Sequence, residues 1–178
     1  MFLYVVYVLV ALIGAFLAYA LTRPPELEVS RSLVVPGAPS AAYGLVADFH
    51  GWTQWSPWEG LDPAMTRSYG GSESGTGAVY EWKGNNKVGQ GRMTILSADP
   101  NARIDIKLEF LAPWQATNKT VFTFQPAAGG TEVTWAMSGR KDGVMMKVFS
   151  VLMNMEKTIG NDFERGLGKL RDAVASKS

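Results

Sequence analysis

Residues 144–175 read VMMKVFSVLMNMEKTIGNDFERGLGKLRDAVA, with apolar side chains at Met145, Val148, Leu152, Met155, Ile159, Phe163, Leu167, Leu170 and Val174. Every step is three or four residues, the spacing of one helical face. Lys147, Ser150, Asn154 and Lys157 keep the same rhythm opposite, which predicts a helix with one wet face and one that must be covered. Met146, Phe149 and Met153 widen the apolar face near its start with flexible or bulky groups suited to irregular space. Helical throughout, the segment spans about 48 Å. Gly160, Asn161 and Asp162 predict one interruption, with Asn161 and Glu164 as a capping box that restarts the helix.

The cover for that face is upstream. Leu27 to Val35 alternates apolar and polar residues and stops at Pro36-Gly37, as a first strand does. Five further runs alternate at period two: Ala78, Tyr80 and Trp82; Met93 and Ile95; Ile104, Ile106, Leu108 and Phe110; Phe122 and Phe124; Val133, Trp135 and Met137. Their intervening residues are polar, so the sheet is antiparallel with one buried and one wet face. Met65 to Tyr69 is a candidate seventh strand, and Gly, Pro and Asn clusters between the runs mark turns. Between the first two strands, Pro39 begins a short helix reaching about Phe49, and Trp52, Trp55 and Trp58 follow within seven residues. Trp52 and Trp55 share the face of a short helical turn that Pro57 ends; an aromatic plug under a loop is the plainer reading of the group. One amphipathic C-terminal helix on one antiparallel sheet is an α+β layer arrangement.

Met1 to Leu21 carries no charged side chain and is long enough to cross a bilayer. It predicts a transmembrane helix over residues 1–21, with a linker over 22–26 and one folded domain over 27–178. Ala18-Tyr19-Ala20 keeps a cleaved signal peptide open as the rival. Arg23 and Arg31 follow the helix, which by the positive-inside rule puts the domain on the cytoplasmic face of a single-pass membrane protein. The 17 basic and 16 acidic residues leave +1, interspersed, so no footprint for nucleic acid is present. Without cysteine and with His50 as the one histidine, thiolate nucleophiles and His-rich or Cys-ligated metal sites are excluded, and no cofactor is expected.

The chain resembles the START and polyketide-cyclase superfamily, SRPBCC, with the helix-grip fold of the birch-pollen allergen type. The resemblance runs through Arg31-Ser32-Leu33, Ala47-Asp48, Trp55-Ser56-Pro57-Trp58-Glu59, Asp62-Pro63 and Gly75 to Trp82. It continues through Gly89 to Ile95, Gly130 to Trp135 and Asp162 to Leu167. It implies a curved seven-stranded antiparallel sheet wrapped around a long C-terminal helix, two short helices after strand 1, and a hydrophobic cavity between sheet and helix. Members similar to this chain often carry an N-terminal membrane helix. The superfamily spans carriers, receptors and cyclases, so its fold does not fix a chemistry.

The residues expected to line such a cavity are Trp52, Trp55, Tyr80, Trp82, Met93, Phe110, Phe122, Phe124, Trp135 and Met137, with Met146, Phe149 and Met153 from the helix. Catalytic groups are scarce. His50 reads as a loop or capping residue before a general base, and no Gly-x-Ser-x-Gly elbow or phosphate-binding glycine motif occurs. Gly75, Gly77, Gly89 and Gly91 are placed to permit bulges. Arg31, in phase with the apolar face of its strand, would meet a ligand carboxylate or snorkel to the rim. Asn118-Lys119-Thr120 has the form of a glycosylation sequon and reads as chance. Three functions follow: a membrane-anchored carrier or sensor of a hydrophobic small molecule or lipid, a cyclase- or dehydratase-like enzyme, and a filled-core interaction module.

Overall fold

In the computed structural model, residues 1–140 and 144–177 are described, with all of their side chains except those of Met145 and Met153. Helix α1 covers Phe2–Thr22, strand β1 Glu26–Val35 and helix α2 Pro39–Ala47, and a single 3-10 turn spans Phe49–Gln54. Strands β2 (Thr66–Gly71), β3 (Ala78–Lys83), β4 (Gln90–Asp99), β5 (Arg103–Ala112), β6 (Ala116–Ala127) and β7 (Gly130–Arg140) follow. Helices α3 (Val144–Met153) and α4 (Met155–Ala175) end the chain. The seven strands form one antiparallel sheet in the order β1-β7-β6-β5-β4-β3-β2.

The period-two runs become alternating buried and open positions. Thr131, Val133, Trp135 and Met137 point inward from β7, and Asn118, Thr120, Phe122 and Phe124 from β6. From α4 the sheet receives Phe163, Leu167, Leu170 and Val174, all buried; each contributes roughly 1.5–3 kcal/mol of burial. Gly166 sits where this helix meets the sheet closely: an added β-carbon would lie 2.7 Å from Trp135 Cζ3.

Two expectations about the C-terminal helix are corrected. The interruption falls at Asn154, in the left-handed region at φ 43°, and the Asn154 side chain accepts from the Lys157 backbone N–H at 3.4 Å. Gly160, Asn161 and Glu164 continue inside α4, so Asn161 caps nothing. The physical reason for Gly160 is packing, since a β-carbon there would collide with the Arg31 guanidinium. The break also divides the predicted single apolar face: on α3, Leu152 and Phe149 are exposed while Lys147 and Ser150 are half-buried. There α3 meets α1, with Lys147 Nζ donating to the Leu21 carbonyl at 3.3 Å.

The tryptophan-rich stretch has a specific task. A helix end leaves its last four carbonyls without intrahelical donors. In α2, the Leu45 carbonyl accepts from Trp55 Nε1 at 3.1 Å and that of Val46 from Trp52 Nε1 at 2.9 Å; Ala47 accepts from the Gly75 backbone N–H at 2.9 Å. The rings then pack on the sheet, Trp55 against Phe122 and Trp135 with centroids 5.9 and 5.5 Å away.

Candidate functional site: an apolar cavity between sheet and helices

Between the inner face of the sheet and the C-terminal helices lies a cavity of about 330 Å³. Its floor is Tyr80, Trp82, Met93, Leu108, Phe110, Trp135 and Met137 from the strands; Met155, Ile159 and Phe163 of α4 form its roof. Trp52 and Trp58 close one end. At the other, Pro113 and Trp114 after β5 approach Met146 of α3, and Trp114 packs on Phe149 with ring centroids 5.7 Å apart.

Gly91 leaves room for the Trp82 ring on the cavity wall. It pairs with Trp82 across β3 and β4, and a β-carbon there would collide with the Trp82 indole. The Trp82 ring therefore lies over the neighbouring strand, fixed by its N–H donating to the Val88 carbonyl at 2.9 Å. A register irregularity between Gln90 and Gly91 accompanies it.

Of the residues expected on the wall, Trp52, Tyr80, Trp82, Met93, Phe110, Trp135, Met137 and Met146 are on it. Trp55, Phe122 and Phe124 are in solid core behind it: Phe124 packs edge-on against Tyr43, and Trp55 and Phe122 against Trp135. The period of two assigned the faces of Phe122 and Phe124 correctly but says nothing of what lies above each position. Phe149 reaches the surface beside Trp114. The Met153 side chain lies outside the described residues.

Polar groups on the wall are few, and they include some that alternation alone did not single out. Glu59, nearly buried, is held in an ion pair by Arg67, whose Nε donates to Oε1 at 3.3 Å and whose Nη2 donates to Oε2. The Tyr80 hydroxyl donates to Glu59 Oε1 at 3.4 Å. Burial, reinforced by the Glu59 charge, pushes that hydroxyl far above its ordinary value, so Tyr80 is a neutral donor. The hydrogen bond to Glu59 raises Arg67 further, so this cation is permanent. Glu59 sits in a loop where no periodicity could flag it. Asn118 and Thr120 did carry a signal: they continue the inward phase of Phe122 and Phe124.

Two other candidates lie elsewhere. Arg31 is a clamp between β1 and α4, its Nε donating to Glu164 Oε1 at 2.7 Å and its Nη2 to Glu156 Oε1 at 3.3 Å. His50 lies in the 3-10 turn that Asp48 caps: its backbone N–H donates to Asp48 Oδ1 at 2.8 Å and its ring stacks on Tyr69. Among the described residues no group of three potential metal ligands occurs.

A family model described as polyketide cyclase / dehydrase and lipid transport matches residues 26–175. Among solved structures, the fold is similar to protein CV1439 of Chromobacterium violaceum (15% identity, TM-score 0.57, 85% of this chain and 98% of that one). It is also similar to TTHA0849 of Thermus thermophilus (16% identity, TM-score 0.60, 85% and 99%). A third is the di-domain ARO/CYC StfQ of the steffimycin biosynthetic pathway (12%, TM-score 0.61), where the match covers 85% of this chain and 51% of that one. Among curated protein sequences none matches.

Proposed function

This chain belongs to the polyketide cyclase / dehydrase and lipid transport family, and from that premise we propose that it is a carrier or sensor for a hydrophobic small molecule or lipid. The ligand occupies the cavity between sheet and α4, and residues 1–21 tether the domain to a membrane. One observation carries the reading: about 330 Å³ of space walled mainly by aromatic and aliphatic side chains, within the range of small-molecule sites. A core that only had to be filled would close such space, because voids forfeit contacts on every side. The tether rests on α1, 21 residues of mean hydropathy 2.4 in its most apolar window, a pattern that a signal sequence shares.

A second reading, a cyclase- or dehydratase-like enzyme, draws on Glu59 and Tyr80. They place a carboxylate and a neutral hydroxyl on the wall of an apolar chamber, where a bound chain could be folded and a proton moved. StfQ, titled an ARO/CYC, shares the fold.

The test fills the space. Met137, on the cavity wall, is replaced by Trp, and full-length protein in detergent is titrated with a fluorescent fatty acid alongside a thermal melt. Met137→Trp is expected to abolish saturable binding while leaving the melt nearly unchanged, because an empty cavity accepts volume without the roughly 1–3 kcal/mol of overpacking. A destabilised variant together with a wild type that shows no saturable signal would favour the filled-core module.

A further inference from the structure

Buried polar side chains away from the cavity are paired in this molecule. The Thr131 hydroxyl donates to the Gly37 carbonyl at 2.8 Å, and Asp62 accepts from the backbone N–H of Ala64 and Asn85. On the cavity wall the pattern changes. Asn118 and Thr120 are 8% and 3% exposed, yet among the described residues neither side chain has a hydrogen-bond partner. Beside them in the register, Trp135 Nε1 is buried and equally without a partner. Thr120 pairs with Met137, and Trp135 is the next inward residue of β7, so the two are diagonal neighbours on one face.

Nothing about the strands demands polar residues there. Asn118 faces Leu108 on one side and Gly139 on the other, and Thr120 faces Ile106 and Met137. The Asn118 amide even needs the neighbouring strand to give way: a β-carbon at Gly139 would collide with it. Valine or leucine at both positions would line the wall without presenting polar atoms to the cavity.

We propose that Asn118 and Thr120 form a hydrogen-bonding subsite for a neutral oxygen on an otherwise apolar ligand, a ketone, ester or amide carbonyl. A threonine hydroxyl and an asparagine amide N–H can each donate, so a carbonyl oxygen is a complement that both serve. The residues opposite Asn118 and Thr120 in the register, Leu108, Gly139, Ile106 and Met137, carry no charge, which suits a neutral oxygen there. The proposal rests on the cavity being a ligand site, and it adds which part of the ligand is read.

Full-length protein in detergent is incubated with an equimolar mixture of 2-dodecanone and dodecane and recaptured, and the retained ketone and alkane are measured against protein-free micelles. Wild type is expected to enrich the ketone over the alkane, and Asn118→Leu/Thr120→Val to lose about tenfold of that enrichment while still retaining dodecane, the change expected for two hydrogen bonds. Thr120→Ser, which keeps the hydroxyl, should retain more of the preference than Thr120→Val. A wild type that retains both compounds without preference, or a double variant with unchanged preference, overturns the subsite while the cavity reading stands. Retention of neither by wild type removes the cavity reading itself. Retained dodecane is the fold control for the double variant, and loss of both from it with wild-type preference intact moves the test to Thr120→Val against Thr120→Ser, where equal preference overturns the proposal.

Discussion

The guanidinium of Arg31 occupies the space that a side chain at Gly160 would fill, so β1 and α4 touch through the absence of a β-carbon. The same guanidinium then reaches Glu156 and Glu164, one on each side of Gly160 along the helix. The clamp fixes the roof of the cavity to the sheet.

This coupling predicts a change of sign. Gly→Ala inside a helix ordinarily stabilises by about 1 kcal/mol. Gly160→Ala alone is expected to lower the melting temperature, because Arg31 is pinned by two carboxylates and must be displaced. In an Arg31→Ala background the same substitution should raise it. Thermal melts of the four proteins check the cycle, and additive effects would refute the contact.

The indole caps of α2 predict a second effect. Trp55→Phe keeps an aromatic ring in the cluster but removes the donor to the Leu45 carbonyl. Leaving that buried acceptor unpaired costs about 1–3 kcal/mol. Trp58→Phe, whose N–H has no such role on the helix end, should cost less in the same denaturant titration.

Much of this fold was legible because period-two and three-or-four spacing are written directly by burial. The runs ending in Phe110, Phe124 and Met137 each became a strand with the expected face inward. What periodicity does not encode is which inward residue meets a partner and which meets a void. Phe122 and Trp82 both point inward, yet one is fully buried and the other borders the cavity. The helix break was misplaced for a related reason. Gly160 and Asn154 are both plausible stops, and the choice depends on Arg31, 129 positions before Gly160 in a strand that local sequence does not see. Glu59 stands in the Trp55 to Glu59 stretch that carries the family resemblance, but its place on the wall is defined by Arg67 and Tyr80, which only the folded chain brings to it.

Asp105 on the wet face predicts the acid limb of stability. Hydrogen bonds from Arg103, with Ser97 and Lys119 helping against burial, hold its carboxyl at about 2 instead of the usual 3.8. A folded value below the unfolded one contributes stability that is present above pH 3.8 and lost as pH falls through about 2. The stability gap between wild type and Asp105→Asn should therefore be constant near neutrality and shrink between roughly pH 5 and pH 2, as urea titrations across that range would show. A gap independent of pH would mean the carboxylate is not preferentially bound in the folded state.

The contrast between Phe122 and Phe110 separates wall from core. Phe122 is fully buried among Trp52, Trp55 and Trp135, so Phe122→Ala should cost about 3–5 kcal/mol, the usual loss for an aromatic in solid packing. Phe110 is only half-buried and borders the cavity, touching Trp82 edge-on. Truncating it enlarges a space that already exists, and less contact is forfeited because part of the ring has no protein neighbour. Phe110→Ala is therefore expected to cost less than about half as much as Phe122→Ala, and to change the affinity for a fluorescent fatty acid in the process. Equal losses at the two positions, measured by denaturant titration without added ligand, would mean that the space beside Phe110 closes in solution.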